Sequence, residues 1–153
     1  MGSRNRFEAG RIRRINLIQI GDLNTFTEGW FLWPEDGPSK HRKIVIGNDN
    51  YFNRNVMIDA CNLVTIGDHN MFGPDIYITD SNHSFGVGID PHEKPMNKGK
   101  VTIGNCCWIG AKAVILKDVT LGDYCVVGAG AVVTKSFPSG SVIAGVPARL
   151  IKG

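Results

Sequence analysis

The sequence predicts an all-β protein, a coil of parallel strands built from six-residue repeats. Three observations support this fold class: six consecutive hexads run in register from Ile103, glycine recurs after the aliphatic residue that opens a hexad, and a longer motif returns along the chain. A period of six fits neither the 3.6 residues of a helical turn nor the alternation of a simple strand. It fits a short strand followed by a sharp turn, and when such coils stack, their strands pair in parallel.

Each hexad has a large aliphatic residue first and, in most cases, a small one fifth. The first positions are Ile103, Ile109, Ile115, Leu121, Val127 and Val133. The fifth positions are Cys107, Ala113, Val119, Cys125 and Ala131, with Phe137 as the exception. Both positions are expected to point inward, so that a narrow three-sided prism fills without voids. Six hexads in register make a β-sandwich with chance alternation a poor alternative.

The longer motif, aliphatic-x-Ile/Leu-Gly-Asp/Asn, locates two excursions from the coil. Its glycines are spaced by 26, 20, 37 and 18 residues, and they are Gly21, Gly47, Gly67, Gly104 and Gly122. Since three hexads make one coil, the two long spacings predict extruded loops at about residues 27–42 and 80–100, where such folds carry function. Glycine and asparagine are expected at the corners, where left-handed backbone angles cost them little. The chain, residues 1–153, is predicted to be a single domain.

Composition and charge narrow the class of protein. The net charge is a mild +3, and the one dense basic cluster is at the N-terminus, where we expect a solvated or subunit-facing end: Arg4, Arg6, Arg11, Arg13 and Arg14. No basic stripe with interleaved aromatic residues indicates a nucleic-acid partner. No targeting segment or run long enough to span a bilayer is present, so a soluble cytoplasmic protein is expected.

His83 is the candidate catalytic residue. It lies just after a predicted strand, where the longer excursion leaves the prism, in the segment Ile78–Phe85. A reaction that removes a proton from a hydroxyl needs a base that is active near neutral pH, and histidine in this role contributes roughly 10²–10⁴-fold. Cys107 and Cys125 are predicted to be structural, because an inward thiol lacks the exposed, electropositive setting of a nucleophile.

The motifs around these positions resemble those of the hexapeptide-repeat acyltransferases from about Ile18 to Lys152. The resemblance is to the galactoside, maltose and related O-acetyltransferases, including those that decorate bacterial polysaccharides. It depends on His83 at the start of the loop, on Asn53 thirty residues upstream, and on Trp108 in the stretch Cys106–Gly110. Two C-terminal runs, Gly128–Lys135 and Ala144–Arg149, complete it.

The resemblance implies a left-handed parallel β-helix, acetyl-CoA as co-substrate, and a homotrimer with active sites between neighbouring prisms. It implies His83 as general base and Asn53 as a residue that holds the acceptor. The cofactor-binding residues are predicted to be Trp108, Ala111, Ala129, Thr134, Lys135 and Arg149. Lys135 and Arg149 would meet the phosphates of CoA. Trp108 would either pack in the trimer interface or form a wall over the pantetheine arm, or do both.

Two further groups are candidates for contact with a sugar or glycan acceptor. Trp30 and Trp33 precede the carboxylates Glu35 and Asp36, and aromatic rings beside carboxylates suit sugar recognition and subunit contacts equally well. Asp80 begins the loop that carries His83. The N-terminal helical segment of the galactoside and maltose enzymes has no counterpart here, which favours an acceptor in capsule or O-antigen synthesis.

Two alternatives to the acetyltransferase remain open from the sequence. The first is a zinc hydratase resembling the gamma-class carbonic anhydrases, which needs three converging histidines. This chain has four, without the close paired spacing of that family: His41, His69, His83 and His92. The second alternative is a non-catalytic β-solenoid used for assembly, which would need neither His83 on a long loop nor the cofactor motif. No metal is expected for the acetyltransferase.

Overall fold

The hexads form short strands separated by sharp turns. The computed structural model describes residues 1–35, 41–93 and 95–152. The first three coils contain β1 (Arg6–Phe7), β2 (Arg11–Ile12), β3 (Ile18–Ile20), β4 (Thr25–Phe26), β5 (Phe31–Pro34), β6 (Ile44–Ile46), β7 (Tyr51–Phe52), β8 (Met57–Ala60) and β9 (Leu63–Ile66), with a 3₁₀ turn at Ile15–Leu17. The fourth contains β10 (Met71–Phe72), β11 (Tyr77–Thr79), β12 (Ser81–Asn82), β13 (Asn97–Lys98) and β14 (Lys100–Ile103). The remainder contains β15 (Trp108–Ile109), β16 (Val114–Ile115), β17 (Val119–Leu121), β18 (Val126–Val127), β19 (Val132–Val133), β20 (Val142–Gly145) and β21 (Ala148–Lys152).

Strands at equivalent positions of successive coils pair in parallel and form three sheets. Sheet A contains β1, β4, β7, β10, β15, β18 and β20, and β21 returns antiparallel on β20. Sheet B contains β2, β5, β8, β11, β16 and β19, and sheet C contains β3, β6, β9, β14 and β17. Because each coil passes through the sheets in the order A, B, C, the turns stack as A–B, B–C and C–A corners. The prediction of an all-β coil of parallel strands is confirmed.

The arginine-rich N-terminus is the first coil of this stack. β1 pairs with β4, β2 with β5, and β3 with β6, all in parallel. The N–H of Gly2 donates to the carbonyl of Ile20 at 2.7 Å. The coil therefore begins well before Ile18, the start that the resemblance indicates. Five arginines obscure the hexad pattern in this stretch, but Ile12 still packs against the core.

The interior of the prism is filled as the hexad pattern predicts. All six opening residues are buried, from Ile103 to Val133, and so are the small residues at the fifth position. Phe137, the exception in size, is also buried. In the first coils the axis carries a column of stacked rings, with centroid distances of 4.3 Å between Phe26 and Phe52 and 4.6 Å between Phe52 and Phe72.

A ladder of buried asparagines joins the coils at the C–A corner. The Oδ1 atom of Asn24 accepts from the backbone N–H of Asn50 at 3.0 Å, and Oδ1 of Asn50 accepts from that of Asn70 at 2.9 Å. Each Nδ2 group donates to a glycine carbonyl one coil further on. Cys107 and Cys125 take the same position in later coils, where their thiols donate to backbone carbonyls at 3.2 Å. The fifth hexad position therefore connects coils as well as filling the core.

The glycines of the recurring motif lie where successive coils approach each other closely. Their own backbone angles are not left-handed. A Cβ on Gly47 would lie 2.2 Å from Oδ1 of Asp68, and one on Gly67 would lie 2.4 Å from Oδ1 of Asn105. Those side chains accept from the backbone N–H of the preceding coil, 2.6 Å for Asp68 and 2.8 Å for Asn105. The left-handed positions of this corner are filled mainly by other residues: Leu23, Asp49, His69, Cys106 and Tyr124.

Replacement of Asn50 by alanine tests the ladder. The substitution leaves the buried N–H of Asn70 and the partly buried carbonyl of Gly67 without partners, so we expect it to lower the free energy of unfolding by about 2–4 kcal/mol. Urea unfolding followed by circular dichroism measures the change. Gln19→Ala, on the exposed side of β3, is the control and should change the stability little. Equal effects of the two substitutions would contradict a role for the ladder.

Candidate functional site

Both excursions leave the coil at the B–C corner. The first follows Glu35 and rejoins the coil at Lys43, so it is shorter than the predicted 27–42. Residues 27–34 belong to the coil, because β5 pairs with β2 and β8 in full register. The second excursion runs between Asp80 and Gly99, close to the predicted range. Asp36 and the rest of 36–40 lie outside the described residues.

Asp80 closes the base of the second loop. Its carboxylate is fully buried and accepts backbone N–H groups from the turn of the preceding coil, at 2.7 Å from Cys61, 2.7 Å from Asn62 and 2.5 Å from Leu63. The N–H of Gly99 donates to the carbonyl of Asp80 at 2.6 Å, which brings the two ends of the loop together. The structure thus gives Asp80 a structural role in place of the predicted contact with substrate.

His83 lies at the start of the loop, three residues after Asp80. β12 and β13 pair antiparallel at the loop base, and His83 is the first residue after β12. Its side chain is exposed, and it has no hydrogen-bond partner among the residues that the structure describes. An exposed, unpartnered imidazole held at a fixed point of the coil has the freedom to exchange a proton with a bound molecule.

The other three histidines have different surroundings. His69 lies at the C–A corner, and its Nδ1 atom is 3.0 Å from Oδ2 of Asp49. His41 and His92 are exposed within the two excursions. Among residues 1–35, 41–93 and 95–152, no three histidine, cysteine or acidic side chains lie in an arrangement that could hold a metal ion.

Trp30 is a core residue beside β5, so its predicted place in the first extruded loop is wrong, and its contact with a substrate stays a prediction. Only 6% of its surface is exposed, and its Nε1–H donates to the carbonyl of Glu8 at 3.1 Å. The ring packs against Phe7 and Phe26 at centroid distances of 5.5 and 5.4 Å. The error lies in the predicted loop boundary, because the range 27–42 includes Trp30 and β5, which belong to the coil.

Trp33 is half-buried on the outer side of sheet B. Its Nε1–H donates to Oε1 of Glu35 at 2.8 Å, and the Arg13 guanidinium lies 4.2 Å from the ring centroid. Trp33 is in register with Asp59 on the next strand, so both side chains are on the same face, beside the corner from which the loops leave.

Asp59 is a polar residue of this face that sequence reasoning missed. Its Oδ2 atom accepts from the Tyr77 hydroxyl at 3.2 Å, whereas Oδ1 is buried without a partner among the described residues. Burial raises the pKa of Asp59; the Tyr77 hydrogen bond lowers it, and the charges of Glu35 and Asp80 raise it further. Alternation along Met57–Ala60 places Asp59 outward, but it gives no sign that the carboxylate is desolvated.

Asn53 lies at the A–B corner, on the opposite edge of sheet B from His83. Its Oδ1 atom accepts from the backbone N–H of Arg54 at 2.8 Å, while Nδ2 has no hydrogen-bond partner within the described chain. The strand β8 and its flanking turns separate this corner from the base of the second loop. Within one chain, Asn53 and His83 therefore do not belong to the same site.

The same A–B edge carries two of the predicted cofactor residues. Ala111 and Ala129 occupy equivalent turns of successive coils, and a Cβ on Gly110 would lie 2.6 Å from the backbone nitrogen of Ala129. Small residues leave a smooth edge with backbone groups close to the surface. Trp108 projects from sheet A beside this edge, and 56% of its surface is exposed.

The remaining cofactor candidates are exposed but lie in two places. Thr134 and Lys135 are at the B–C corner, the same corner as His83, and Nζ of Lys135 lies 5.5 Å from the Phe137 ring centroid. Arg149 is on β21, and its Nη1 atom donates to the carbonyl of Ala148 at 3.0 Å. The predicted residues thus occupy the two edges of sheet B and the outer side of sheet A.

The buried thiols have the inert character expected of them. Burial raises the pKa of Cys107 to about 11, and it raises the pKa of Cys125 and Cys61 as well. A thiol with a raised pKa is protonated at neutral pH and is a poor nucleophile.

Comparison with known proteins agrees with this architecture. The family model of the bacterial transferase hexapeptide (six repeats) matches residues 100–135, the stretch of unbroken hexads. A putative lipopolysaccharide biosynthesis O-acetyltransferase of Escherichia coli K12 is 35% identical over 120 residues, covering 72% of this chain and 61% of that protein. The chain belongs to the hexapeptide-repeat transferase family.

Other members of the hexapeptide-repeat family extend the comparison. The galactoside O-acetyltransferase of Escherichia coli K12 is 39% identical over 109 residues, which cover 71% of this chain and 53% of the enzyme. A solved galactoside acetyltransferase in complex with coenzyme A has 35% identity and a TM-score of 0.69, covering 86% of this chain and 64% of that one. The chain spans a little over half the length of the curated relatives that it matches.

A more distant structure shares the fold over the whole chain. AntD, an N-acyltransferase from Bacillus cereus solved with dTDP and 3-hydroxybutyryl-CoA, has a TM-score of 0.83 at 20% identity, covering 100% of this chain and 81% of that one. At this identity the likeness concerns the fold alone.

No helix within the described residues is long and apolar enough to cross a membrane.

Asp59→Asn tests the environment of the missed carboxylate. Because the folded-state pKa of Asp59 is raised, the stability it contributes is present below about pH 4 and is lost as pH rises through the folded pKa. The variant should therefore gain thermal midpoint relative to wild type between pH 4 and 8. Scanning calorimetry at several pH values measures the difference.

Asp118→Asn is the matched control of opposite sign. The hydrogen bond from Lys117 lowers the pKa of Asp118, so removal of this carboxylate should cost stability above pH 4 and little below it. The effect should be small because Asp118 is exposed. A difference for Asp59→Asn that shrinks or stays level with rising pH would contradict the desolvated carboxylate.

Proposed function

We propose that this protein transfers an acetyl group from acetyl-CoA to a hydroxyl of a sugar or glycan, with His83 as the general base. The observation that carries the proposal is the position of His83, which is exposed, and without a hydrogen-bond partner among the described residues, on a loop extruded from an otherwise regular coil. The names of the relatives support the reaction class, since they include O-acetyltransferases of a galactoside and of lipopolysaccharide biosynthesis. A structural solenoid has no need of such a loop.

The reaction is a direct transfer between two bound substrates. His83 accepts the proton of the acceptor hydroxyl as its oxygen attacks the thioester carbonyl. The carbon–sulfur bond then breaks, and the imidazolium returns the proton to the departing thiolate of CoA. No acyl-enzyme is required because the thioester is already activated, which agrees with the raised pKa of Cys107 and Cys125.

The donor is proposed to lie along the A–B edge of the later coils. Ala111 and Ala129 leave room there for an extended pantetheine arm, and Trp108 stands beside it with 56% of its surface exposed. Arg149 on β21 is an exposed cation that can meet phosphate groups, and Lys135, at the B–C corner, can meet them from a neighbouring copy of the chain. Two solved relatives were crystallised with coenzyme A or acetyl coenzyme A, which supports this donor.

A homotrimer of left-handed β-helices is proposed as the working form. The handedness and the trimer both come from the resemblance to the family. The separation of Asn53 and His83 on opposite edges of sheet B supports the trimer, because a second copy can place its A–B edge against the loop of the first. Each active site would then receive residues from two prisms.

His83→Ala tests the proposed base. We expect turnover to fall by about 10²-fold or more, because the acceptor hydroxyl keeps its proton. The measurement is thiol release from acetyl-CoA in the presence of a panel of galactosides, maltose and bacterial polysaccharide fragments. His92→Ala, an exposed histidine of the same loop, is the matched control and should retain turnover.

A loop-deletion variant shows whether the loss is confined to chemistry. Removal of residues 82–98 leaves Ser81 and Gly99 as a two-residue turn like Cys61–Asn62 of the preceding coil. This variant should keep its thermal midpoint and its affinity for CoA while losing transfer. Full turnover by His83→Ala with a good acceptor would refute the assignment of the base.

A further inference from the structure

The outer side of sheet B carries a row of aromatic side chains in the first coils. Phe31 and Trp33 alternate along β5 with the buried Leu32 and Pro34, so both rings face outward and are half-buried. Their centroids lie 4.8 Å apart in an edge-to-face arrangement with an interplanar angle of 67°. We refer to Phe31 and Trp33, with the charged residues around them, as the aromatic face.

Two arginines and two glutamates surround these rings. Arg11 is in register with Phe31 on the neighbouring strand, and Arg13 lies over the Trp33 ring. Glu28 is exposed at one end of the face, and Glu35 binds the Trp33 indole N–H at the other end. The formal charges of these four residues cancel, so together they offer donors and acceptors without a net attraction for an ion.

A pocket opens at the Glu28 end of the aromatic face. It has a volume of about 450 Å³ and is lined by residues 9–11 and 28–31. Gly10 forms part of its wall, and a Cβ there would lie 2.2 Å from the buried Trp30 indole. The backbone of Gly10 thus covers the core ring closely and keeps the floor of the pocket free of a side chain.

The aromatic face leads towards the loop that carries His83. Trp33 is in register with Asp59 on β8, and Asp59 with Thr79 on β11, directly before the loop base. Two strand spacings separate β5 from β11, about 10 Å. Asp59 and Tyr77 lie along this route and present further hydrogen-bonding groups.

We propose that the aromatic face is a subsite for a neutral oligosaccharide, and that it binds sugar units beyond the one that is acetylated. Aromatic rings stack on the apolar side of a sugar ring, while carboxylates and guanidinium groups bind its hydroxyls. The balanced charge favours a neutral glycan over a nucleotide sugar, whose phosphates would meet Glu28 and Glu35. The link to catalysis rests on the proposed transfer reaction, whereas binding of the glycan does not.

The test compares acceptors of increasing length in two series, glucose to maltotetraose and galactose to β-1,4-galactotetraose. Transfer is measured as thiol release, and binding is measured by titration calorimetry. We expect kcat/KM in at least one series to rise about tenfold from one unit to three or four, which corresponds to about 1.4 kcal/mol. Arg11→Gln and Glu28→Gln should each remove most of this gain and leave the single-sugar value unchanged. Arg6→Gln, which removes the same charge as Arg11→Gln but on sheet A, is the control.

The sign of the Glu28→Gln effect separates a neutral glycan from a charged ligand. Loss of an acceptor group weakens a glycan, whereas loss of a negative charge strengthens an anion such as UDP-glucose. Tighter binding of UDP-glucose by Glu28→Gln, with no glycan bound, would overturn the proposal, and so would a kcat/KM independent of length. If no sugar is acetylated, the proposed transfer reaction fails for these acceptors, and calorimetry alone then tests the subsite. An affinity that rises with glycan length and is lost in both variants supports the subsite. The absence of any affinity for the glycans overturns it.

Discussion

Hydrogen bonding between successive coils at the C–A corner is the interaction on which the rest of the structure depends. Asn24, Asn50 and Asn70 form a buried ladder there, and the side chains after the motif glycines form a second one at the surface. Every step holds one coil against the next at the spacing of paired strands. The three sheets stay in register because this corner has the same geometry in each coil.

A continuous ladder at one corner leaves another free to carry loops. Both excursions leave at the B–C corner, and neither interrupts the hydrogen bonds of the C–A corner. Asp80 compensates locally, since its buried carboxylate accepts three backbone N–H groups of the adjacent turn. The coil can therefore extrude a loop with a histidine at its start and still continue in register at Lys100. The regular scaffold and the variable loop are separable parts.

The repeat is predictable from the sequence because packing along one axis requires an apolar residue at the same hexad positions in every coil. This requirement produces a periodic pattern in the sequence. The spacings of the motif glycines predict two excursions, and they therefore also predict that His83 lies on the second one. Residue spacing alone does not place Trp30 in the coil, because it does not separate loop from strand. The burial of Trp30 depends on Phe7 and Gly10, which lie 23 and 20 residues earlier in the chain. The buried role of Asp80 and the desolvation of Asp59 depend on neighbours one coil away. Such contacts leave no periodic signal.

Sheet B has His83, the proposed base, at one edge and Asn53 at the other. In the proposed trimer, two copies of the chain therefore complete each active site. Mixed oligomers of His83→Ala and Asn53→Ala test it most directly. Each variant alone should lack transfer, whereas subunits that are unfolded and reassembled together should recover part of it, because some sites then receive both intact residues. Thiol release measures the recovery. A mixture as inactive as its two parents, or full activity in a monomer, would contradict the account.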